Sequence, residues 1–248
     1  MSSSDQEPQP APVAGSDGPT PPGKAMTLER KLIDEGAQIL QSKKPVSQMK
    51  QHLCSFALYG HDPCRQIEAH HYAARLNEEV LQCAVYDSDS PSARLIGVEY
   101  IVSEAIFEKL PAEEQKLWHS HAYAIKSGAL TCPGVPEVMQ RQELKGLAKT
   151  YGKFWCTWQV DRGDRLPLGA PALMMSMQTG MAQPEMVKRR DEKYEVSSEA
   201  LKESRKEMPE PEKIHPNADY WKLHGKGFAV DVVQMDMNSP PALAASAI

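Results

Sequence analysis

The sequence lacks an apolar run long enough to cross a bilayer. Its longest apolar-rich stretches, residues 95–102 and 170–177, fall well short of the roughly 20 residues that a spanning helix needs, and Glu99 interrupts the first. The N-terminus shows no basic region followed by an apolar run, so a secretory signal is not expected. These absences predict that any association with a membrane is peripheral.

Cysteine pairs at metal-finger or redox spacing are also missing. The number of cysteines is odd and no two are spaced as C-x-x-C, which excludes a zinc-finger pattern and a disulfide framework. The five are Cys54, Cys64, Cys83, Cys132 and Cys156. We therefore expect a reducing, intracellular compartment.

An excess of positive charge is absent as well. The chain has 28 lysines and arginines against 33 acidic residues, for a formal net charge of −5. Nucleic-acid binding, which usually requires a basic stripe, is therefore not expected. No glycine-rich nucleotide loop, G-x-S-x-G or H-E-x-x-H occurs, so the common nucleotide-binding and hydrolase classes lack their signatures.

What is present is enough apolar sequence, 41% of 248 residues, for one sizeable core. Residues 1–25 contain six prolines and few large apolar side chains, which predicts a disordered tail. Residues 26–237 are expected to form a single domain, and residues 238–248 a flexible C-terminus. The charged, proline-containing region 183–219 is expected to wrap the surface of this domain.

An amphipathic helix is predicted at residues 28–42. Thr27 is a good N-cap, and Pro45 marks the end of the helix. The apolar positions share one face: Leu28, Leu32, Ile33, Ile39 and Leu40. This face could dock on the core or lie on a lipid surface.

Short strand and helix patterns alternate along the rest of the chain without a regular βαβ repeat. Strands are predicted at residues 81–86, 94–102, 122–126, 154–160, 172–177 and 228–233. Helices are predicted at residues 104–110, 111–118, 137–150 and 197–206. The pattern favours an α+β domain in which a mixed or antiparallel sheet is flanked by helices.

Histidines provide the main candidate site. His119 and His121 would share a face in a strand but would point about 200° apart in a helix. Because a transition metal needs three or four ligands, His71 and Glu99 are the proposed companions, with His70 and Cys156 as accessory candidates. Glu99 lies in an apolar strand, where its charge requires a partner. The same side chains could instead form a hydrogen-bonded polar cluster without a metal.

Several segments resemble the plant oil body-associated protein family, the DUF1264 type. They are QIEAHHY (66–72), LQCAVYD (81–87), RLIGVEYI (94–101), LWHSHAY (117–123), YGKFWCTWQVD (151–161) and LPLGAPALMMS (166–176). The resemblance extends over about residues 28–235. Two positions depart from many relatives, which carry Cys at Ala73 and, outside plants, His at Cys156.

The resemblance implies a peripheral, non-enzymatic protein of oil bodies, or lipid droplets, that helps to keep droplets small and separate. Its implied locations are the droplet surface, the cytoplasm and the endoplasmic reticulum, and its implied partners are the droplet surface or droplet proteins. An alternative hypothesis is a metal-dependent enzyme or metal-binding module, in which a divalent transition metal is held by His71, Glu99, His119 and His121.

Overall fold

The computed structural model describes residues 21–180, 182–208 and 213–235. The predicted C-terminal segment 238–248 and residues 1–20 of the predicted tail 1–25 lie outside the described residues.

Six strands form a closed antiparallel barrel. Its members are β1 (Gln51–Tyr59), β2 (Asp62–Asn77), β3 (Val80–Tyr86), β4 (Leu95–Ser103), β6 (Thr150–Cys156) and β7 (Ala172–Ser176). Neighbouring strands pair in the order β4-β3-β2-β1-β7-β6, and pairing of β4 with β6 closes the ring. A two-residue strand, β5 (His119–Ser120), adds to β6. The predicted α+β class is therefore correct, and the sheet is more specifically a barrel.

Short turns connect the first three strands in sequence. β1 and β2 are joined at the pair Tyr59–Asp62, and β2 and β3 at the pair Asn77–Val80. In the second turn the side chain of Asn77 accepts a hydrogen bond of 2.8 Å from the Glu79 amide, as asparagine commonly does in turns. The three strands are therefore consecutive and hairpin-connected, which fixes their register.

Alternate residues of the strands fill the barrel interior. Leu53, His71, Val85, Gly97 and Cys156 form one cross-strand row through successive pairs, so they share a face of the sheet. All five are buried or glycine. The opposite face of the same strands contacts helices or solvent, and Val98 and Tyr100 of β4 are exposed there.

Eight α-helices lie in the described part of the chain. They are α1 (Leu28–Leu40), α2 (Glu104–Phe107), α3 (Ala112–Gln115), α4 (Ala122–Lys126), α5 (Glu137–Leu147), α6 (Pro184–Tyr194), α7 (Ser198–Ser204) and α8 (Tyr220–His224). No described helix has the length and apolar character required to span a membrane.

Two arginines have no exposed surface: Arg190 of α6 and Arg205 at the end of α7. Both donate hydrogen bonds to the connection between α4 and α5. Arg205 donates to the carbonyls of Ile125 and Leu130 at 2.9 and 2.7 Å and pairs with both oxygens of Glu137. These charge-assisted bonds satisfy carbonyl groups that the loop would otherwise bury unpaired.

Two sequence predictions are corrected by the structure, and a third is refined. Residues 122–126 form helix α4 rather than a strand. Residues 228–233 do not pair as a strand, and most of their side chains are exposed. The predicted helix at 28–42 exists as α1, capped by the Thr27 side chain, but it has no buried residue and is not docked on the core.

Candidate functional site

Adjacent histidines of β2 face opposite sides of the barrel wall. His71 points inward with Leu53 and Val85, its cross-strand partners. His70 pairs with Cys54 and Tyr86 and points outward. Because side chains alternate along a strand, only one of the two can belong to an interior site.

Glu99 of β4 is the centre of a buried polar cluster. Its Oε2 lies 2.7 Å from His71 Nδ1, and its Oε1 lies 3.0 Å from His119 Nε2 and 3.5 Å from His121 Nε2. All four side chains are buried. The structure therefore brings together the four residues that the sequence nominated, and an ionisable carboxylate inside the barrel has three imidazoles as partners.

The two histidines of β5 and α4 converge without the extended geometry considered in the sequence analysis. His119 is in β5, whereas His121 has helical backbone angles, φ −86° and ψ −8°, and is the N-cap of α4. Their rings are 5.2 Å apart and nearly perpendicular. Between them, the Ser120 amide donates to the carboxylate of buried Asp219 at 3.3–3.4 Å, which holds the turn in place.

Hydroxyl groups orient two of the rings. The Thr150 hydroxyl donates to the Leu147 carbonyl at 2.7 Å, so its free lone pair accepts from Nδ1 of His121 at 2.9 Å. Ser55 Oγ and His71 Nε2 share a hydrogen bond of 3.2 Å. Nδ1 of His119 is buried without a hydrogen bond.

Gly152 of β6 makes room for the cluster. A Cβ at this position would lie 2.3 Å from Glu99 Oε1, 2.7 Å from His119 Nε2 and 2.8 Å from His121 Nε2. Real Cβ atoms do not approach other heavy atoms this closely, so any other residue would force the three groups apart. A cavity of about 20 Å³ adjoins the cluster and is lined by Ser55 and His71 among others.

Glu99 and the histidines of the cluster affect one another's pKa values. Burial alone would raise the pKa of Glu99, but the His71 imidazole and hydrogen bonding from the other two histidines hold that pKa well below its usual range. Burial lowers the pKa of His121, and Glu99 opposes this change. The cluster therefore holds an ionised carboxylate beside imidazoles, which are the donor types that bind divalent transition metals.

The two accessory candidates lie elsewhere. His70 contacts His52 Nε2 at 3.0 Å and Glu68 Oε1 at 3.1 Å on the outer side of β1 and β2. Cys156 faces a different part of the interior, where its Sγ lies 3.8 Å from the Tyr59 hydroxyl. Burial raises the pKa of Cys156 to about 11, so this thiol stays protonated.

Sequence reasoning missed the residues that make the cluster compact. These are Ser55, Thr150, Gly152 and Asp219. Three of them carry no pattern that separates them from ordinary strand or turn residues. Gly152 lay between the predicted helix 137–150 and the predicted strand 154–160, so it was not recognised as a strand glycine, which often marks a close approach.

The chain matches a family model described as "Protein of unknown function (DUF1264)" over residues 43–209, which include all four residues of the cluster. No solved structure matches it.

Curated relatives cover nearly the whole chain. Oil body-associated protein 2B of Zea mays is 62% identical over 96% of this chain and 97% of its own length. Oil body-associated protein 2C of Arabidopsis thaliana is 56% identical over 91% of this chain and 97% of its own length. Oil body-associated protein 1B of the same plant is 45% identical, with 89% of this chain and 91% of its own length aligned. The chain therefore belongs to the oil body-associated protein family.

Proposed function

We propose that this chain is a peripheral protein of the oil body surface and that the apolar face of α1 is its contact with lipid. The names of the relatives support the association with oil bodies. The main observation for this contact is the exposure of α1, whose large apolar side chains are more than half exposed: Leu28, Leu32, Ile33, Ile39 and Leu40.

The exposed face is suited to a lipid surface because a folded chain normally buries so many large apolar side chains. An amphipathic helix can place such a face at the boundary between headgroups and acyl chains while its polar face stays in water. Lys31 and Glu35 are exposed on the polar face and carry opposite charges. Attraction to lipid is therefore mainly apolar and does not require anionic headgroups.

Flotation with artificial droplets tests the contact. Triolein droplets coated with phosphatidylcholine are mixed with the full chain and centrifuged, and the bound fraction is measured. Leu32→Gln with Ile39→Gln removes two apolar contacts, each of about 1.5 kcal/mol or more, and should lower partitioning roughly 100-fold. The matched control, Lys31→Gln with Glu35→Gln, keeps the net charge and should float like the wild type.

The outcomes separate the two parts of this proposal. If the apolar variant floats as well as the wild type, α1 is not the contact. If the wild-type chain itself stays in the aqueous phase, direct association with the droplet surface is wrong. Bound protein should be released by alkaline carbonate, because the proposed contact through α1 is peripheral. Retention after carbonate would contradict a peripheral mode.

A role in keeping droplets small follows from the same arrangement and needs no chemical step. A layer of bound chains, each with a formal net charge of −5, would oppose contact between droplets by bulk and by charge. Dynamic light scattering should show that the diameter of coated droplets grows more slowly than the diameter of bare droplets. Raising the salt concentration should weaken the charge-dependent part of this protection. Equal growth with and without the protein would contradict the role.

A further inference from the structure

We propose that Glu99, His119 and His121 bind one divalent first-row transition metal ion beside Gly152, and that the Ser55–His71 pair faces its open coordination position. The site is independent of the droplet association proposed above. It would make the barrel interior a metal centre in addition to a structural core.

Gly152 supports a site at which several ligand atoms come close together, because it has no side chain to keep them apart. One oxygen and two nitrogens approach the same bare Cα, and each would be within 2.8 Å of a Cβ there. Any larger residue would break up the cluster, whereas an apolar residue would suffice if this region were only core. Glycine within a strand costs stability, so the convergence has a structural cost that a metal ligand set would justify.

The hydrogen bonding of His121 fixes which of its nitrogens is free. Since the Thr150 hydroxyl donates to Leu147, it accepts from Nδ1 of His121. A neutral imidazole with its proton on Nδ1 presents a lone pair at Nε2. That nitrogen lies 3.5 Å from Glu99 Oε1. A positive centre is needed between these two atoms: a second ring proton bridges them without metal, and a bound metal ion would replace that proton. Donation of the second ring N–H to a neighbouring acceptor is also the usual arrangement of metal-bound histidine.

The donor set indicates the class of metal. Two imidazoles and one carboxylate suit zinc, iron(II) or manganese, and no thiolate belongs to this ligand set. Three protein ligands leave at least one coordination position open. The adjoining cavity of about 20 Å³ holds one water-sized ligand, so the open position would carry water or hydroxide.

His71 would act on the other side of the carboxylate. Its Nδ1 lies 2.7 Å from Glu99 Oε2, whereas His119 and His121 contact the other oxygen, Oε1. Its Nε2 is shared with Ser55 Oγ. His71 is therefore placed as a positioning residue for Glu99 and as a proton acceptor next to the cavity.

A second cluster of ligand types is a weaker candidate. Cys54, Glu68 and His70 lie within reach of one ion on the outer face of β1 and β2. However, both ring nitrogens of His70 already have partners, and the Arg189 guanidinium lies 3.9 Å from Glu68. A nearby cation and satisfied nitrogens disfavour a metal there. This cluster provides the matched control.

Metal binding by the full chain is the first test. Protein freed of metal with a chelator is titrated with Zn²⁺ by calorimetry, and Co²⁺ is added to a second sample for absorption spectroscopy. We expect one Zn²⁺ per chain and a cobalt spectrum without a thiolate charge-transfer band. An absence of Zn²⁺ binding by the wild type overturns the proposal, and a thiolate band would place the metal at a cysteine-containing cluster instead.

Variants locate the ion. His119→Gln and Gly152→Ala should each weaken Zn²⁺ binding by more than about 100-fold, beyond the loss typical of a residue that only supports a ligand. His70→Ala, next to His71 but on the outer face, should bind like the wild type. Circular dichroism confirms folding of each variant. Unchanged binding in folded His119→Gln, or loss of binding in folded His70→Ala, overturns the assignment, and neither result bears on droplet flotation.

Discussion

The Cα of Gly152 lies directly against the carboxylate of Glu99, with space for a hydrogen but not for a methyl group. A Cβ there would lie 2.3 Å from Oε1. Gly152→Ala must therefore displace buried polar side chains and should lower the free energy of unfolding by about 1–3 kcal/mol even without metal. Chemical denaturation measures this loss.

The matched glycine is Gly146 in α5, where a Cβ would meet no atom within 4 Å. Gly146→Ala should raise the free energy of unfolding by about 0.5–1 kcal/mol, because alanine favours the helix. A stability of Gly152→Ala equal to that of the wild type would contradict the tight packing of β6 against the cluster.

Arg205 should be among the most important residues for stability. It has no exposed surface, and it holds Glu137 and two carbonyls at the α4–α5 connection. Arg205→Ala should cost about 3–5 kcal/mol, since buried acceptors lose a charged donor. The control is Lys202→Ala in α7, an exposed residue paired with Glu199, which should change stability by less than about 0.5 kcal/mol. Equal thermal shifts for the two variants would refute this difference.

The exposed helix α1 should contribute little to the stability of the free protein. Leu32 is 64% exposed and Leu144 is fully buried. Leu32→Ala should leave the urea midpoint nearly unchanged, whereas Leu144→Ala should cost about 2–5 kcal/mol. A large loss in Leu32→Ala would mean that α1 packs on the body in solution, contrary to the observed exposure.

Stability should fall in mildly acidic solution partly because of His52. Burial lowers the pKa of His52 from its ordinary value of 6.5 to about 4, and the adjacent His70 imidazole acts in the same direction. Between these values the unfolded chain binds more protons than the folded chain. The contribution is therefore fully present above pH 6.5 and is lost as the pH falls toward 4.

His52→Gln removes this proton and tests the effect. Denaturation of both chains at pH 7.5 and pH 4.5 gives the difference in their unfolding free energies at each pH. That difference should shift in favour of the variant at the lower pH. The shift in free energy should be smaller than the full lowering of the pKa implies, because His52 is partly exposed. An identical difference at the two values would contradict the lowered pKa.

The sequence by itself determined the local elements whose signals are short-range. Residues 81–86 and 94–102 were predicted as strands and form β3 and β4, and residues 137–150 contain α5. The nomination of Glu99 also came from the sequence, because a carboxylate in an apolar strand needs a partner. These inferences succeeded because periodicity and burial cost act within a few residues.

Only the tertiary structure decided the barrel, the orientation of the histidines and the fate of two segments. β4 and β6 close the ring although the chain between them, residues 104–149, is long, and no local pattern encodes that pairing. Residues 228–233 have strand-like sequence but pair with no strand in the described part of the chain. Hydrogen-bond ladders and close approaches such as that at Gly152 depend on residues far apart in sequence, so they are settled only when the whole core packs.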